Sequence, residues 1–418
     1  MENHGSPERD YGCYNRIVAT APSGRWLGSH PAHDGDFFPE RVADYVAVCR
    51  SVVESGEGWR RVAPVRVDID ITQGCNSNCV FCFSRRYQNS YYRNCAASAE
   101  ILQELFRSCE RMGVKTVRFC GGGDPLVHPE IDRLLEFLSD TGLRTCVITN
   151  GDFLRGQTVE LVYRHVDHLR WSVNAATQRT RQRLHRPFQH GNTLTESFDV
   201  IADLVRRKVA ARRGGPIISA TFLLMDENLA EAEDVARRLR DIGVDSVSFR
   251  PIYHDLGGVT ALHARNLREL YNRLVNLGTT TFQVFVPKRG LTEAGSLLAA
   301  EHFDECISRR LRTVFEANRD GLGLQACGVY RGSGMCNGLV IRAGQDNSLE
   351  SVWRRWQTSP RPVGAPRDCP KCIDVSINKT LSFILGVLRQ EPAATFELGT
   401  SESFDAIASM VQDVSQVK

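Results

Sequence analysis

Residues 65–82 read VRVDIDITQGCNSNCVFC. Four of the first seven residues are apolar and β-branched, which predicts a β-strand, and a glycine follows soon after. Cys75, Cys79 and Cys82 therefore lie on a loop at the carboxyl end of that strand. Three thiolates at such short spacing can hold three irons of a [4Fe–4S] cluster, which leaves the fourth iron open to a small molecule.

A zinc site is the alternative interpretation of these three cysteines. Structural zinc needs four ligands, and no Cys or His follows the triplet at the usual spacing. The nearest cysteine downstream is Cys95, thirteen residues after Cys82. The triplet therefore favours an iron–sulfur cluster, with zinc as the minor alternative.

The composition is that of an ordinary globular protein. The chain has 418 residues, of which 42% are hydrophobic and 24% are charged, and this length allows two to three domains. A net charge of +3 is too small to indicate a nucleic-acid partner. We interpret the arginine-rich stretches at 179–186 and 206–213 as solvated helix faces.

The cellular compartment is indicated by the cysteines and the first residues. Fourteen cysteines follow a polar, acid-containing start, MENHGSPERDYG, that does not resemble a signal peptide. This combination argues against a disulfide framework and favours a reducing cytoplasm with metal ligands among the thiols. No apolar run approaches the length needed to span a membrane, so we expect no membrane partner.

Strand and helix patterns alternate from residue 65 onward. Apolar, β-branched runs recur at 65–72, 116–120, 145–149, 169–173, 217–224 and 246–251, with helical patterns between them. Gly113, Gly142 and Gly243 are placed where glycine ends a helix. Six such units predict an α/β fold with parallel strands and right-handed crossovers, in the form of a barrel or partial barrel. The site of such a barrel lies at the carboxyl ends of its strands.

The spacing CxxxCxxC, with the aromatic Phe81 just before the last cysteine, resembles the signature of the radical S-adenosylmethionine (radical SAM) superfamily. In that family the open iron binds SAM, and one electron from the cluster cleaves SAM to a 5′-deoxyadenosyl radical. The radical then removes a hydrogen atom from the substrate. The resemblance implies a partial (β/α)6 TIM-like barrel, a SAM-binding [4Fe–4S] cluster, SAM itself and a flavodoxin- or ferredoxin-type reductant.

The stretch FCGGGDPL at 119–126 resembles the Gly-Gly-Glu-Pro motif with which this family binds the SAM amino group. The resemblance implies that Gly121, Gly122 and Gly123 bind SAM through their backbone. Asp124 replaces the glutamate of the motif after an additional glycine, so a side-chain contact with SAM is open. A plain strand-to-helix turn is the alternative interpretation.

Polar residues also end the next predicted strands. Related enzymes place such residues against the SAM ribose or carboxylate, which makes Asn150, Ser172 and Asn174 candidates. Arg250, at the end of the sixth strand, could pair with the SAM carboxylate through a bidentate fork. Ordinary polar strand-end turns are the alternative for each position.

A second set of cysteines follows the barrel. Its members are Cys306, Cys327, Cys369 and Cys372, the last two in a CxxC pair. This arrangement resembles the auxiliary-cluster Twitch domain, a shortened SPASM domain, and implies one auxiliary [4Fe–4S] cluster that conducts electrons. Structural zinc or unligated thiols are the alternatives. We expect an N-terminal extension (1–60), the barrel (61–258), a linker helix and strand (259–299), this Cys-rich domain (300–378) and C-terminal helices (379–418).

Twitch proteins similar to this chain act on aminoglycoside, aminocyclitol and sugar-like substrates in antibiotic biosynthesis. The resemblance implies an oxidoreductase that turns a secondary alcohol of a carbohydrate-like small molecule into a ketone. A diol dehydratase (a lyase) and an epimerase with Cys336 as hydrogen-atom donor are the alternatives. His254 and Asp255, together with Arg250, are candidates for the general base.

Modification of a ribosomally made peptide is the alternative of another class. Such enzymes usually carry an N-terminal winged-helix module. The first 60 residues are shorter than such a module, and we find only one helical pattern in them, at 39–54. This difference favours a small-molecule substrate.

Overall fold

The computed structural model describes residues 16–31, 39–56, 59, 62–82, 95–187, 191–211, 215–252, 267–286, 311–318, 321–325, 340–341, 348–358 and 375–399. The strands are β1 Arg16–Thr20, β2 Trp26–Pro31, β3 Arg66–Asp70, β4 Thr116–Phe119, β5 Arg144–Thr149, β6 His168–Ser172, β7 Ile217–Leu224, β8 Ser246–Pro251, β9 Gln283–Phe285, β10 Arg312–Asn318, β11 Gly321–Gln325, β12 Val340–Ile341 and β13 Thr395–Gly399. The helices are α1 Pro39–Ser55, α2 Ala99–Met112, α3 Ile131–Ser139, α4 Gln157–His165, α5 Gln178–Leu184, α6 Leu194–Ala210, α7 Ala232–Ile242, α8 Leu267–Val275, α9 Leu349–Thr358 and α10 Val375–Gln390.

The six predicted strands are present as β3 to β8, and they pair in parallel in chain order. Their alternate apolar residues pack against the helices: the ring of Phe119 lies near Phe106 of α2, and that of Trp171 lies near Phe198 of α6. The residues between them face the other side of the sheet, because side chains alternate along a strand. The α/β fold and partial TIM-like barrel are confirmed.

The sheet extends beyond the six predicted strands. β9 pairs in parallel with β8, and β10 pairs in parallel with β3. The hairpin partner β11 and the short β12 continue this edge in antiparallel fashion. α8 and β9 lie in the linker that we expected to contain one helix and one strand (259–299). The described parts of the expected Cys-rich domain (300–378) include β10, β11, β12 and α9. The division into domains stays a prediction, and of the C-terminal helices expected at 379–418 the part after residue 399 lies outside the described residues.

Both ends of the described chain meet in a second, smaller sheet of order β13–β1–β2, with antiparallel pairs. Ile17 of β1, Tyr45 of α1 and Leu381 and Leu385 of α10 belong to one buried cluster beside it. The helix predicted at 39–54 is present as α1. The expectation that the first 60 residues lack a strand–helix pattern is wrong, because the hairpin β1–β2 precedes that helix.

Two of the three helix-ending glycines are confirmed. Gly113 and Gly243 have left-handed backbone conformations, with φ of 80° and 91°, and they cap α2 and α7. Gly142 is not a cap, because α3 ends at Ser139 and Asp140 follows it in a right-handed conformation. Within the described residues, no helix is both long and apolar enough to cross a membrane.

Candidate active site at the carboxyl ends of the barrel strands

The cysteine loop begins where β3 ends. Thr72 forms an isolated bridge with Ala96, and this bridge closes the base of the segment that contains the three cysteines. Cys75, Cys79 and Cys82 are all partly exposed. The amide of Cys82 donates to the carbonyl oxygen of Cys79 at 3.3 Å. The loop thus presents three thiols that a ligand can reach.

The raised pKa values of two of these thiols are consistent with a positively charged group bound between the three. Burial, followed by the nearby carboxylate of Asp124, raises the pKa of Cys75 to about 12. Burial also raises the pKa of Cys79 well above its ordinary value, and the charges of Cys75 and Cys82 raise it further. Three neighbouring thiolates repel one another unless a cation lies between them. Irons of a cluster, which bind thiolate, would supply that positive charge.

The chemistry of the cysteine loop fits a cluster better than a zinc ion. A structural zinc site needs four ligands around one ion. In a [4Fe–4S] cluster each cysteine binds a different iron, so three cysteines are sufficient to hold it.

The glycine-rich loop lies directly against the cysteine loop. Gly121 and Gly122 have φ of 57° and 67°, a left-handed conformation that favours glycine. The amide of Gly123 donates to the carbonyl oxygen of Thr72 at 2.8 Å. A Cβ atom at Gly123 would overlap the backbone of Gly74. This close approach requires glycine at position 123, and the left-handed conformation favours glycine at positions 121 and 122.

Asp124 has a supporting position beneath this loop. Its buried carboxylate accepts hydrogen bonds from the Thr149 hydroxyl at 2.9 and 3.0 Å. It also accepts from the amides of Asn150 at 2.7 Å and Leu126 at 3.0 Å. Burial raises the pKa of this carboxyl, although the three donors act in the opposite direction. The side chain thus links the end of β4 to the end of β5, and we assign it a structural role beneath the glycine-rich loop.

Asn150 lies beside the cysteine loop. Its side-chain nitrogen is 4.0 Å from the sulfur of Cys75, and it donates to the Asn76 side chain at 2.9 Å. The indole of Trp171 donates to the Asn150 carbonyl oxygen at 3.1 Å, which holds the turn in place. The structure thus brings Asn150 together with the cysteines, as its position at a strand end predicted.

A buried ion pair next to the cysteine loop was missed by the sequence analysis. Arg181 of α5 pairs with Asp152, and both side chains are almost fully buried. Asp152 also accepts hydrogen bonds from Asn76 at 2.5 Å and Ser77 at 3.3 Å. The interpretation of 179–186 as a solvated helix face is wrong for Arg181, which lies within electrostatic range of Cys79. No local pattern signalled this role, because the partner carboxylate comes from another strand-end loop.

The segment after α5 covers the cysteine loop. The amide of Val80 donates to the Leu184 carbonyl oxygen at 2.9 Å, and Ser77 forms a bridge with Pro187. The rings of Phe81 and His185 meet edge to face at 5.3 Å. Burial, followed by the charge of Arg181, lowers the pKa of His185 to about 3, so the imidazole is neutral. Phe81 therefore packs against protein at this point.

The remaining strand-end candidates have different environments. Asn174 is buried: its side chain accepts from the Leu223 amide at 2.6 Å and contacts His185 at 3.3 Å. Ser172 is partly exposed at the end of β6. Arg250 on β8 donates to the Ser248 hydroxyl at 3.3 Å. Their predicted contacts with SAM stay predictions. The other candidates lie outside the described residues: His254, Asp255, Cys306, Cys327, Cys336, Cys369 and Cys372.

Comparison with known proteins agrees with this arrangement. Residues 69–239 match the family model of the radical SAM superfamily. A probable GTP 3′,8-cyclase of Methanothermobacter thermautotrophicus is 29% identical over 150 residues, which cover 35% of this chain and 48% of that protein. The subtilosin biosynthesis protein AlbA of Bacillus subtilis is 21% identical over 191 residues, or 44% of this chain and 39% of that protein. The chain thus spans half or less of the length of these relatives.

Solved structures show the same fold. The crystal structure of Streptococcus suis SuiB bound to its precursor peptide SuiA has a TM-score of 0.53 and 14% identity, and it covers 82% of this chain and 75% of that one. The fold and the cysteine loop define a barrel with three thiols placed to hold an iron–sulfur cluster. This barrel belongs to the radical SAM superfamily, whose members are enzymes that use a [4Fe–4S] cluster and SAM.

Proposed function

We propose that this chain is a radical SAM enzyme that acts on a hydroxylated carbon of an aminoglycoside, aminocyclitol or sugar-like metabolite, and that it oxidises a secondary alcohol to a ketone in antibiotic biosynthesis. When bound, the cluster and SAM supply a 5′-deoxyadenosyl radical, which takes the hydrogen atom. Cys75, Cys79 and Cys82 hold the cluster, and the Gly121–Gly123 backbone binds the SAM amino group. We place the reaction in the cytoplasm, with a flavodoxin- or ferredoxin-type reductant.

The polar interior of the barrel supports a polyhydroxylated substrate. Bulky branched residues usually fill the interior of a TIM barrel. Here Asp68 binds Arg66 at 2.8 Å and Arg118 at 2.5 Å. Further polar residues on the same face of the strands are Asp70, Arg170 and Ser248. Such side chains match the many donors and acceptors of a carbohydrate better than an apolar substrate.

The outcome after hydrogen abstraction depends on the C-terminal cysteines. Oxidation needs an acceptor for the second electron, and the proposed auxiliary cluster on Cys306, Cys327, Cys369 and Cys372 would accept it. Dehydration of a diol, or epimerisation with Cys336 as hydrogen-atom donor, remains the alternative on the same substrate class. His254 and Asp255 are the proposed bases for the substrate hydroxyl.

A peptide substrate is the second candidate function, and one observation favours it. The small sheet β13–β1–β2 with α1 supplies strands near the N-terminus that we had not expected. The first 60 residues therefore no longer favour a small-molecule substrate. SuiB, whose fold is similar over most of this chain, was solved with a precursor peptide. Because the barrel interior is polar, we still favour a carbohydrate-like substrate over a peptide.

The deciding experiment measures iron, sulfide, EPR spectra and SAM cleavage on anaerobically reconstituted protein. The variants are the Cys75→Ala/Cys79→Ala/Cys82→Ala triple variant and Cys95→Ala, a partly exposed cysteine at the base of the loop, as matched control. We expect about eight irons in the wild type and about four in the triple variant, which should form no 5′-deoxyadenosine. SAM cleavage by the triple variant would refute the radical SAM mechanism. About four irons in the wild type, all lost in the triple variant, would exclude the auxiliary cluster and favour a redox-neutral reaction.

The substrate class is tested by comparing the rate of SAM cleavage without substrate with the rate in the presence of each candidate substrate. We expect amino-bearing cyclitols to increase 5′-deoxyadenosine formation and to yield a product lighter by two hydrogen atoms. Stimulation by a short peptide and not by cyclitols or sugars would favour the second candidate.

A further inference from the structure

The amino-terminal end of the barrel contains a cavity of about 210 Å³, on the side opposite the proposed SAM site. It lies among the first residues of β4, β5, β6 and β7. Thr116, Arg144, Cys146, Asp167 and His168 are among the residues that line it. Asp167 is exposed and Arg144 is partly exposed, so the cavity reaches the protein surface.

Cys146 and His168, which line this cavity, and Ser219 form a continuous chain of contacts. The sulfur of Cys146 lies 3.6 Å from Nδ1 of His168, and Nε2 of the same ring lies 2.7 Å from the Ser219 hydroxyl oxygen. All three residues are buried. A nucleophile within hydrogen-bond reach of a base that a third group orients is the arrangement found where protein nucleophiles are activated.

We propose that Cys146, His168 and Ser219 form a nucleophilic thiol site that takes a small electrophile of the size of hydrogen peroxide. The thiol proton moves from Cys146 to Nδ1 of His168, and the sulfur forms a bond to one peroxide oxygen as the O–O bond breaks. The leaving hydroxide takes the proton from His168 and departs as water. The peroxide is reduced, and the cysteine sulfur is oxidised to a sulfenic acid.

The contacts of His168 define its role toward the sulfur. Nε2 of the ring lies 2.7 Å from the Ser219 hydroxyl, and Nδ1 faces the Cys146 sulfur at 3.6 Å. The arginines near the cavity are paired with carboxylates, Arg144 with Asp44 and Arg118, which lies opposite Cys146 in the strand register, with Asp68. Reaction at the sulfur therefore depends on His168. Ser219 holds the imidazole so that Nδ1 faces the sulfur.

Two other buried cysteines serve as internal controls. Cys49 and Cys109 are fully buried within apolar clusters. Burial raises the pKa of Cys49 to about 12 and also raises the pKa of Cys109, which keeps both thiols protonated. A buried cysteine in an ordinary core should react as they do.

The test is limited alkylation of reconstituted holoprotein under anaerobic conditions, with iodoacetamide as probe and peptide mass spectrometry as readout. We expect Cys146 to react at least about tenfold faster than Cys49 and Cys109. His168→Gln should reduce the Cys146 rate to that of the two controls, while His165→Gln, on a partly exposed helix end, should not. Equal rates for the three buried cysteines, or an unchanged rate in folded His168→Gln, would overturn the proposal.

A second variant tests the site independently of whether His168→Gln folds. Ser219→Ala leaves the imidazole in place but removes the group that orients it, so the Cys146 rate should fall while the far-ultraviolet circular dichroism stays unchanged. Trapping with dimedone after one equivalent of hydrogen peroxide should label Cys146 before Cys49 and Cys109; labelling in the reverse order would refute the site. These readouts need no SAM cleavage, so they are independent of the proposed function.

Discussion

A Cβ atom on Gly123 would lie 1.6 Å from the carbonyl oxygen of Gly74. The two loops touch backbone to backbone, because the amide of Asp124 donates to that same oxygen at 2.9 Å. The glycine-rich loop and the cysteine loop are therefore packed directly against each other. Glycine is required here by the contact between the loops, in addition to any contact with a ligand.

Gly123→Ala should separate the two loops. We expect the free energy of unfolding to fall by about 3 kcal/mol, since neither backbone segment can retreat without breaking hydrogen bonds. Iron content and SAM cleavage should fall with it. Gly142→Ala is the matched control, because its new Cβ would meet only the Glu110 carboxylate at 3.8 Å. Urea unfolding under anaerobic conditions measures both, and a Gly123→Ala protein as stable as the control would contradict the close contact.

Arg181→Gln should leave the buried carboxylate of Asp152 without its cation. Breaking a buried ion pair by removing one partner costs about 3–5 kcal/mol. The loss should also loosen Asn76 and Ser77, which donate to Asp152 in the cysteine loop. Iron retained after gel filtration reports this second effect.

Arg183→Gln, on the exposed side of the same helix, should change the free energy of unfolding by less than about 0.5 kcal/mol. Equal stability of the Arg181 and Arg183 variants would show that the ion pair does not support the loop.

Asp124→Asn keeps the shape of the side chain but leaves a single acceptor oxygen. In the wild type, three donors share the two carboxylate oxygens. In the variant, an NH2 group replaces one of these oxygens and must face one of the donors. We expect destabilisation by about 2 kcal/mol and lower 5′-deoxyadenosine formation, because the Asn150 turn would shift. Asp241→Asn, an exposed carboxyl, is the control. Wild-type stability of Asp124→Asn in thermal unfolding would argue against the supporting role.

His185 makes the stability of the protein depend on pH. Its pKa is about 3 in the folded chain and near 6.5 when unfolded. Between these values the unfolded chain takes up a proton that the folded chain does not. The free energy of unfolding should therefore fall by about 1.4 kcal/mol for each pH unit below 6.5.

His185→Gln removes this contribution, so its stability should depend less steeply on pH than that of the wild type. His165→Gln should keep the wild-type slope. Denaturant unfolding at pH 5.5, 6.5 and 7.5 measures these slopes, and parallel curves for all three proteins would refute the burial of a neutral imidazole.

Local sequence patterns predicted the central part of the fold. The six strands follow from runs of β-branched residues, and Gly113 and Gly243 mark helix ends because glycine adopts the left-handed conformation readily. β10 and β13 were missed as sheet members because their partners, β3 and β1, lie far away in the chain. Pairing over such distances depends on the folded sheet and leaves no local signal.

The sequence by itself determined the cysteine triplet, the glycine-rich stretch and the order of the barrel strands, because each depends on residues close together in the chain. Only the tertiary structure decided which groups support the site. Asp124 accepts a hydrogen bond from Thr149, Arg181 forms an ion pair with Asp152, and Gly123 packs against the backbone of Gly74. Each pair joins segments at or after the carboxyl ends of different strands. Such segments meet because the carboxyl ends of parallel strands share one edge of the sheet, and which side chains then touch is a matter of packing.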